Sequence, residues 1–318
     1  MQDNIMVSIL CLAYNHEKFI RKALEGFVMQ KTNFKFEVLI HDDASTDKTA
    51  DIIREFEAKY PDIIKPIYQT ENQFSKKTGI MKTFQYPRAK GKYIAFCEGD
   101  DSWIDEYKLQ KQIDFMEVNE NCVMTCHNSI KVNHETGEEH IENPIEKTGY
   151  ATAYDIITDK KGMWIATASI VFRRNLIDTY PSFFQKLPIG DMPLRWYLFA
   201  MGDVYYFEDV MSVYNYRIPG SWSATRSTIF ELEKYLDYYN EYNRFTNYKY
   251  DKYVKEEIVK RKFYYYTLKH DYNELAKNEY ASLLNKISLK GRLYVKLYKY
   301  IPFVLNSYSK IKAIIKRR

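Results

Sequence analysis

Four apolar runs in the first 130 residues constrain this fold most: VSILCLAY (7–14), FEVLIH (36–41), KYIAFC (92–97) and CVMTCHN (122–128). Runs apolar at nearly every position, rather than at alternate ones, suit strands covered on both faces. Helical spacing fills the intervals. Ala23 and Phe27 recur in a stretch beginning near Glu17, and Ile53, Phe56 and Tyr60 lie between a Ser45 or Thr46 cap and a break at Pro61. Leu109, Ile113 and Met116 follow in a capped run from Asp105. IIKPIYQ (63–69) reads as a weaker strand that Pro66 demotes toward an edge. Strand and helix in alternation predict an α/β fold, a doubly wound, mostly parallel sheet flanked by helices.

Ligands of such sheets sit outside the carboxyl ends of the strands. Three of the runs end in polar clusters, AYN at 13–15, HDDAS at 41–45 and EGDD at 98–101, which the topology gathers on one rim. No glycine-rich phosphate loop follows the first strand. A hard divalent cation on one or two carboxylates is the usual substitute for such a loop. Glu98, Asp100 and Asp101 supply carboxylates, and Asp43 can accept hydrogen bonds from a base or ribose. A single Asp would serve to cap the helix near Asp105. Three acids on a rim that already carries Asp42 and Asp43 repel one another unless they share a cation.

The stretches VSILCLAYNHEKFIRKALEGFVMQ, FEVLIHDDASTDKTADII and FQYPRAKGKYIAFCEGDDSWIDEYKLQKQIDF resemble the N-terminal half of family 2 glycosyltransferases, the inverting nucleotide-sugar enzymes of bacterial surface polysaccharides. The likeness is dense from about residue 6 to 130 and thinner to about 220. It implies a GT-A fold, Rossmann-like, with Ala13, Tyr14 and Asn15 contacting the nucleobase and Asp43 holding it. The family's Asp-x-Asp element falls on Glu98, Gly99 and Asp100, followed by Asp101. Of Asp100 and Asp101, one is expected to meet the ribose and the other a Mn2+ or Mg2+ ion, in either order. The general base falls on Asp191, the second member of an acidic pair whose first position is Gly190 here. Asp191 also begins a helical stretch with Leu194, Leu198 and Met201, so a dipole-facing helix carboxylate is the plainer reading. VYNYRIPGSWSATRS (213–227) resembles the segment that closes over the donor diphosphate, with Ile218 and Pro219 where many relatives carry a metal-binding His. Arg217, Ser221, Trp222 and Arg226 are then candidate phosphate or sugar contacts, and Trp164 and Trp222 candidate sugar-stacking rings.

Past about residue 228 the pattern becomes long helical stretches rich in Tyr and Lys, ELEKYLDYYNEYNRF and YDKYVKEEIVKRKFYYYTLKHDYNEL. The expected organisation is a catalytic domain over 1–225, with a nucleotide half (1–130) and an acceptor half (131–225), and an appended helical C-terminal region over 226–318. Residues 286–318 hold ten Lys or Arg and no acid, interleaved with large apolar residues. That basic amphipathic tail suits a solvated helical face or peripheral contact with an anionic membrane better than a nucleic acid. Apolar runs fall short of the roughly 20 residues that span a bilayer. No signal-peptide pattern opens the sequence. The four cysteines, in strand-like contexts, read as free buried thiols. The expectation is a cytoplasmic enzyme, with a place at the inner face of the cell membrane as its extension. It would move a hexose or N-acetylhexosamine from a nucleoside-diphosphate donor, UDP being favoured by the resemblance, to a hydroxyl of a saccharide or lipid-linked saccharide. Capsule or lipopolysaccharide synthesis is the setting this implies. Two rivals are a non-catalytic nucleotide-sugar-binding or scaffold protein, and a sugar nucleotidyltransferase, which would want the phosphate loop that AYNHEKF lacks.

Overall fold

Every apolar run forms a strand in the computed structural model, which describes residues 4–76, 79–143, 148–158, 163–185, 187, 189–218 and 232–300. β1 (Ile5–Ala13), β2 (Lys35–Asp42), β3 (Ile64–Tyr68) and β4 (Tyr93–Phe96) pair in parallel in the order β3-β2-β1-β4. Pro66 lies in β3, at the edge of the sheet, where a missing N–H costs no ladder bond. α1 (Ile20–Val28) and α2 (Thr49–Lys59) are the crossovers between these strands. Ile20, Ala23, Leu24 and Phe27 of α1 are buried against Val7, Ile9, Cys11, Val38 and Ile40 of the sheet, each large aliphatic contributing about 1.5–3 kcal/mol.

The second half of the sheet is mixed rather than parallel. β6 (Cys122–Asn133) pairs in parallel with β10 (Asp203–Tyr216), but β9 (Val171–Arg173) runs antiparallel between β4 and β6. β5 (Ser102–Trp103) is antiparallel to β10, while β7 (Glu139–Ile141) and β8 (Gly149–Tyr150) add short antiparallel pairs. α3 (Lys108–Val118), α4 (Ala153–Ile157) and α5 (Asp191–Met201) complete this part. All four cysteines are buried and unpaired, as their contexts predict.

Three helix starts differ from the sequence expectation. α1 begins at Ile20 because Asn15, His16 and Glu17 bond to the loop after β2 instead of entering a helix. α2 begins at Thr49 without a side-chain cap, since Ser45 and Thr46 are engaged by Asn15. α3 begins at Lys108, where Asp105 accepts the Tyr107 N–H (2.7 Å) and pairs with Lys111 (2.8 Å).

Lys108 is fully buried, with Nζ 2.8 Å from Gln112 Oε1 and 4.0 Å from the centroid of the Trp103 ring. Gln112 Nε2 donates onward to Thr125 Oγ1 (3.1 Å) and the Ser169 carbonyl (3.0 Å), and Trp103 Nε1 donates to the Ala168 carbonyl (2.8 Å). Burial lowers the Lys108 pKa from its usual 10.5 to about 7. Between these values the unfolded chain carries a proton that the folded chain has released, so this group adds stability as pH rises and nothing further changes below 7. Lys108→Met should therefore remove a positive slope of up to about 1.4 kcal/mol per pH unit from the alkaline stability profile. Denaturant unfolding across that window checks it, and parallel profiles for both proteins would refute it.

The chain divides into two units, Met1–Arg226 and Ser227–Arg318. The second contains α6 (Leu232–Phe245), α7 (Asp251–Leu268), the short α8 (Tyr272–Leu275) and α9 (Leu289–Tyr300). Tyr235, Tyr238, Tyr239 and Tyr242 recur at helical spacing and are all buried, so the tyrosines of α6 serve as core. A separate cluster gathers Phe263, Leu275, Tyr280, Ile287 and Val295. Among the described residues no helix is long and apolar enough to cross a membrane.

Candidate active site

The strand order reverses between β1 and β4, and there the two strands deliver their polar ends together. Their pairing runs from Val7 opposite Tyr93 to Leu10 opposite Phe96, then continues past β4 as Cys97 N–H donates to the Leu10 carbonyl (3.2 Å) and Gly99 N–H to the Leu12 carbonyl (2.8 Å). The EGDD turn thus emerges directly beside Ala13. Gly99 permits this approach: a Cβ there would lie 2.9 Å from Ile20 Cδ1, 3.0 Å from His16 Nδ1 and 3.2 Å from the Ala13 Cβ. Asn15 (φ 55°) and Ala44 (φ 62°) both adopt the left-handed conformation at this rim, a strain that neighbouring bonds must hold.

Those bonds lace the ends of β1 and β2. Asn15 N–H donates to Ser45 Oγ (3.0 Å), and Asn15 Oδ1 accepts from the Thr46 N–H (2.8 Å). His16 N–H donates to Thr49 Oγ1 (2.7 Å). Tyr14, held between them, is 45% exposed, a free aromatic face on a fixed loop. Ala13 is buried, and its carbonyl accepts the Asp43 N–H (2.9 Å). Asp43 is itself buried, with its two carboxylate oxygens accepting the N–H groups of Gln73 (2.7 Å) and Phe74 (3.0 Å) and His41 Nε2 3.3 Å away. In this conformation Asp43 anchors the 72–75 segment, and a base contact would use its remaining lone pairs. Asp42 is buried with Oδ1 lacking a hydrogen-bond partner, and desolvation raises its pKa.

The structure separates the two aspartates of the EGDD turn. Asp101 is 1% exposed, its Oδ1 accepting the Asn215 N–H (2.9 Å) and its Oδ2 buried without a hydrogen-bond partner. Asn215 also donates through Nδ2 to the Asp100 carbonyl (2.6 Å), so β10 clamps the turn at two points. The Asp100 side chain is 17% exposed, with its carboxylate 3.8 Å from His16 Nε2. Burial raises the Asp101 pKa strongly, Asp100 and Glu98 adding to it. Glu98 is half-buried, and burial followed by the charges of Asp100 and Asp191 pushes its pKa up to about 8. Three crowded carboxylates with one orphaned buried oxygen fit a shared divalent cation. Among the described residues no three His, Cys, Asp or Glu side chains close into a metal cluster. A cation here would accordingly take most of its shell from phosphate and water.

Asp191 is the first residue of α5, its side chain 38% exposed and its Oδ2 3.5 Å from Nη2 of the buried Arg195 one turn on. Its charge is one of those that raise the Glu98 pKa, across about ninety residues of sequence. The same charges act on a residue that the sequence reading passed over, Tyr214 of β10. Burial and the charges of Asp101, Glu98, Asp100 and Asp191 hold its phenol protonated. Trp164 packs on Tyr214 with ring centroids 4.8 Å apart, and its backbone is fixed by Asn143 through paired 2.8 Å hydrogen bonds. The β-branched and aromatic richness of DVYYFEDVMSVYNY (203–216) could have exposed β10 as a strand, and with it Tyr214 and Asn215. Arg217 is exposed, paired with Glu135 and set over the Tyr216 ring (5.3 Å). Ser221, Trp222 and Arg226 lie outside the described residues.

Comparisons with known proteins agree on one family. The model of Glycosyl transferase family 2 matches residues 8–180. The uncharacterized protein Rv1520 of Mycobacterium tuberculosis is 35% identical over 224 residues, 69% of this chain and 61% of that protein. The chain thus spans about 61% of the length of the mycobacterial relatives it matches. The UDP-Glc:alpha-D-GlcNAc-diphosphoundecaprenol beta-1,3-glucosyltransferase WfaP of Escherichia coli is 37% identical over 112 residues, 35% of this chain and 41% of that one. Among solved structures, S. aureus TarS 1-349 in complex with UDP-GlcNAc superposes with a TM-score of 0.62 at 17% identity, covering 92% of this chain and 78% of that one. The mannosyltransferase PcManGT of Pyrobaculum calidifontis, in complex with GDP-Man and Mn2+, gives 0.53 at 16%, covering 92% and 84%. These two likenesses show the fold, a GT-A-like mixed α/β sheet with flanking helices.

Proposed function

Because the chain belongs to glycosyl transferase family 2, we propose that it transfers a sugar, with inversion, from a nucleoside-diphosphate donor to an acceptor hydroxyl at the β1–β4 rim. The observation that carries this reading is the juxtaposition of exposed Tyr14 and the clamped EGDD turn on the rim where the strand order reverses, with the charge of Asp191 felt at Glu98. Tyr14 offers its face to the base, and Ala13, Asn15 and Asp43 shape the slot around it. Asp100 reaches the donor, and Asp101 fixes the turn from below through Asn215. A divalent cation, Mn2+ or Mg2+, held by Asp100 with Asp101 beside it, supplies charge neutralisation for the departing diphosphate when bound. Asp191 takes the proton from the acceptor hydroxyl as that oxygen attacks the anomeric carbon from the face opposite the leaving group. Arg195, with Nη2 3.5 Å from Asp191 Oδ2, orients that carboxylate.

The paired rings of Trp164 and Tyr214 are the aromatic surface against which a sugar ring can stack. The names of the relatives support a UDP donor and a lipid-diphosphate-linked saccharide acceptor: WfaP is named for both, and TarS was solved with UDP-GlcNAc. PcManGT, solved with Mn2+, supports the cation. The transferred sugar is read as a hexose or N-acetylhexosamine, in surface-polysaccharide synthesis. A panel of UDP-, GDP- and TDP-sugars tests the reading. Slow nucleotide release from one UDP-sugar, dependent on Mn2+ or Mg2+ and lost on chelation, is expected. Binding of UDP with no release from any donor would favour the non-catalytic alternative.

A further inference from the structure

We infer that α9 is a membrane-docking helix that lays its outer stripe on an anionic lipid surface. Leu289, Leu293 and Tyr300 recur about one, two and three turns apart on one side of the helix and are 77%, 57% and 78% exposed. The opposite side is accounted for, since Gly291 and Val295 are buried and Val295 belongs to the core with Phe263, Leu275, Tyr280 and Ile287. A stripe of large apolar side chains left outward on a helix already packed by its other side marks a binding surface.

Charge identifies the occupant. Lys290 and Lys299 flank the stripe, and Lys296 falls within it, where its long stem can lie along the apolar residues while its amine reaches the headgroups. Lys299 makes one long contact, 3.4 Å to Asn278 Oδ1. No acid occurs anywhere from 286 to 318. A second copy of this face would set cation against cation, whereas an anionic bilayer supplies both a complementary charge and an apolar layer. The broad expectation of a basic tail thus narrows to a described face, and it stands apart from the catalytic reading, for which nucleotide release is the control.

The test is co-sedimentation of the full chain with phosphatidylcholine vesicles, with and without phosphatidylglycerol. Binding only to the anionic vesicles, weakened by salt, is expected. Leu289→Gln, Leu293→Gln and Tyr300→Gln together should lower the partition coefficient on the order of a hundredfold at unchanged charge. Lys290→Gln, Lys296→Gln and Lys299→Gln together should do so to a similar extent, at about tenfold or less per lysine. Because the substituted side chains are exposed, thermal unfolding and nucleotide release should match the parent. Undiminished binding by the apolar variant, equal binding to neutral vesicles, or no binding by the parent would overturn the proposal. So would a parent dimer that the apolar variant dissociates in size-exclusion chromatography, which would assign the stripe to a second copy.

Discussion

Asp191→Asn is expected to cripple sugar transfer while leaving donor binding nearly intact. The side chain sits at the first position of α5, 38% exposed, where an amide of the same size keeps the helix start and the approach to Arg195. What the amide lacks is a carboxylate to accept the acceptor proton, and that loss is expected to cost roughly 10²–10⁴-fold in kcat. The plainer assignment of Asp191 as a helix-dipole carboxylate predicts only a few tenths to about 1 kcal/mol of stability and no selective loss of turnover. Measuring kcat beside donor affinity separates the two: near-parental turnover in the variant leaves Asp191 a helix-dipole carboxylate, whereas a fall in kcat with donor affinity held identifies the base.

Asp100→Ala should cost on the order of 10²–10³ in kcat and also remove the dependence of donor binding on Mn2+. The magnitude follows from what the residue offers. Asp101 is buried with Oδ1 bound to Asn215 and only Oδ2 left unpartnered, and Asp43 binds the Gln73 and Phe74 amides, whereas the Asp100 carboxylate stays partly exposed at the end of the clamped turn. Removing it leaves the turn's backbone bonds in place, since Asn215 Nδ2 contacts the Asp100 carbonyl rather than its side chain. Calorimetric titration of UDP with and without Mn2+ checks this. Manganese-dependent UDP affinity retained in the variant would move the cation to another group.

The parallel half of the fold was legible because buried strands and amphipathic helices leave different apolar periods, and Pro66 correctly marked an edge. The mixed half was not. β9 is three residues long and β5 two, too short for any period to register, and each exists because it pairs across a long separation in sequence. Ser45 and Thr46 have the chemistry of helix caps, yet Asn15, thirty residues upstream, takes them, since a local propensity yields to a tertiary hydrogen bond. In the same way the sequence could name Asp100 and Asp101 but not rank them. Their difference lies in β10, whose Asn215 reaches across to bury one and leave the other accessible. Tyr214 escaped notice because a tyrosine among thirty carries no signal until the fold sets it among four carboxylates.

The central claim is that a nucleotide diphosphate and a divalent cation meet at the β1–β4 rim. A crystal of the full chain grown with UDP and Mn2+ tests it most directly. The account predicts anomalous density for manganese at the Asp100 carboxylate, the diphosphate beside it and the uracil ring against Tyr14. Manganese bound elsewhere, or UDP seated away from the EGDD turn, would contradict it.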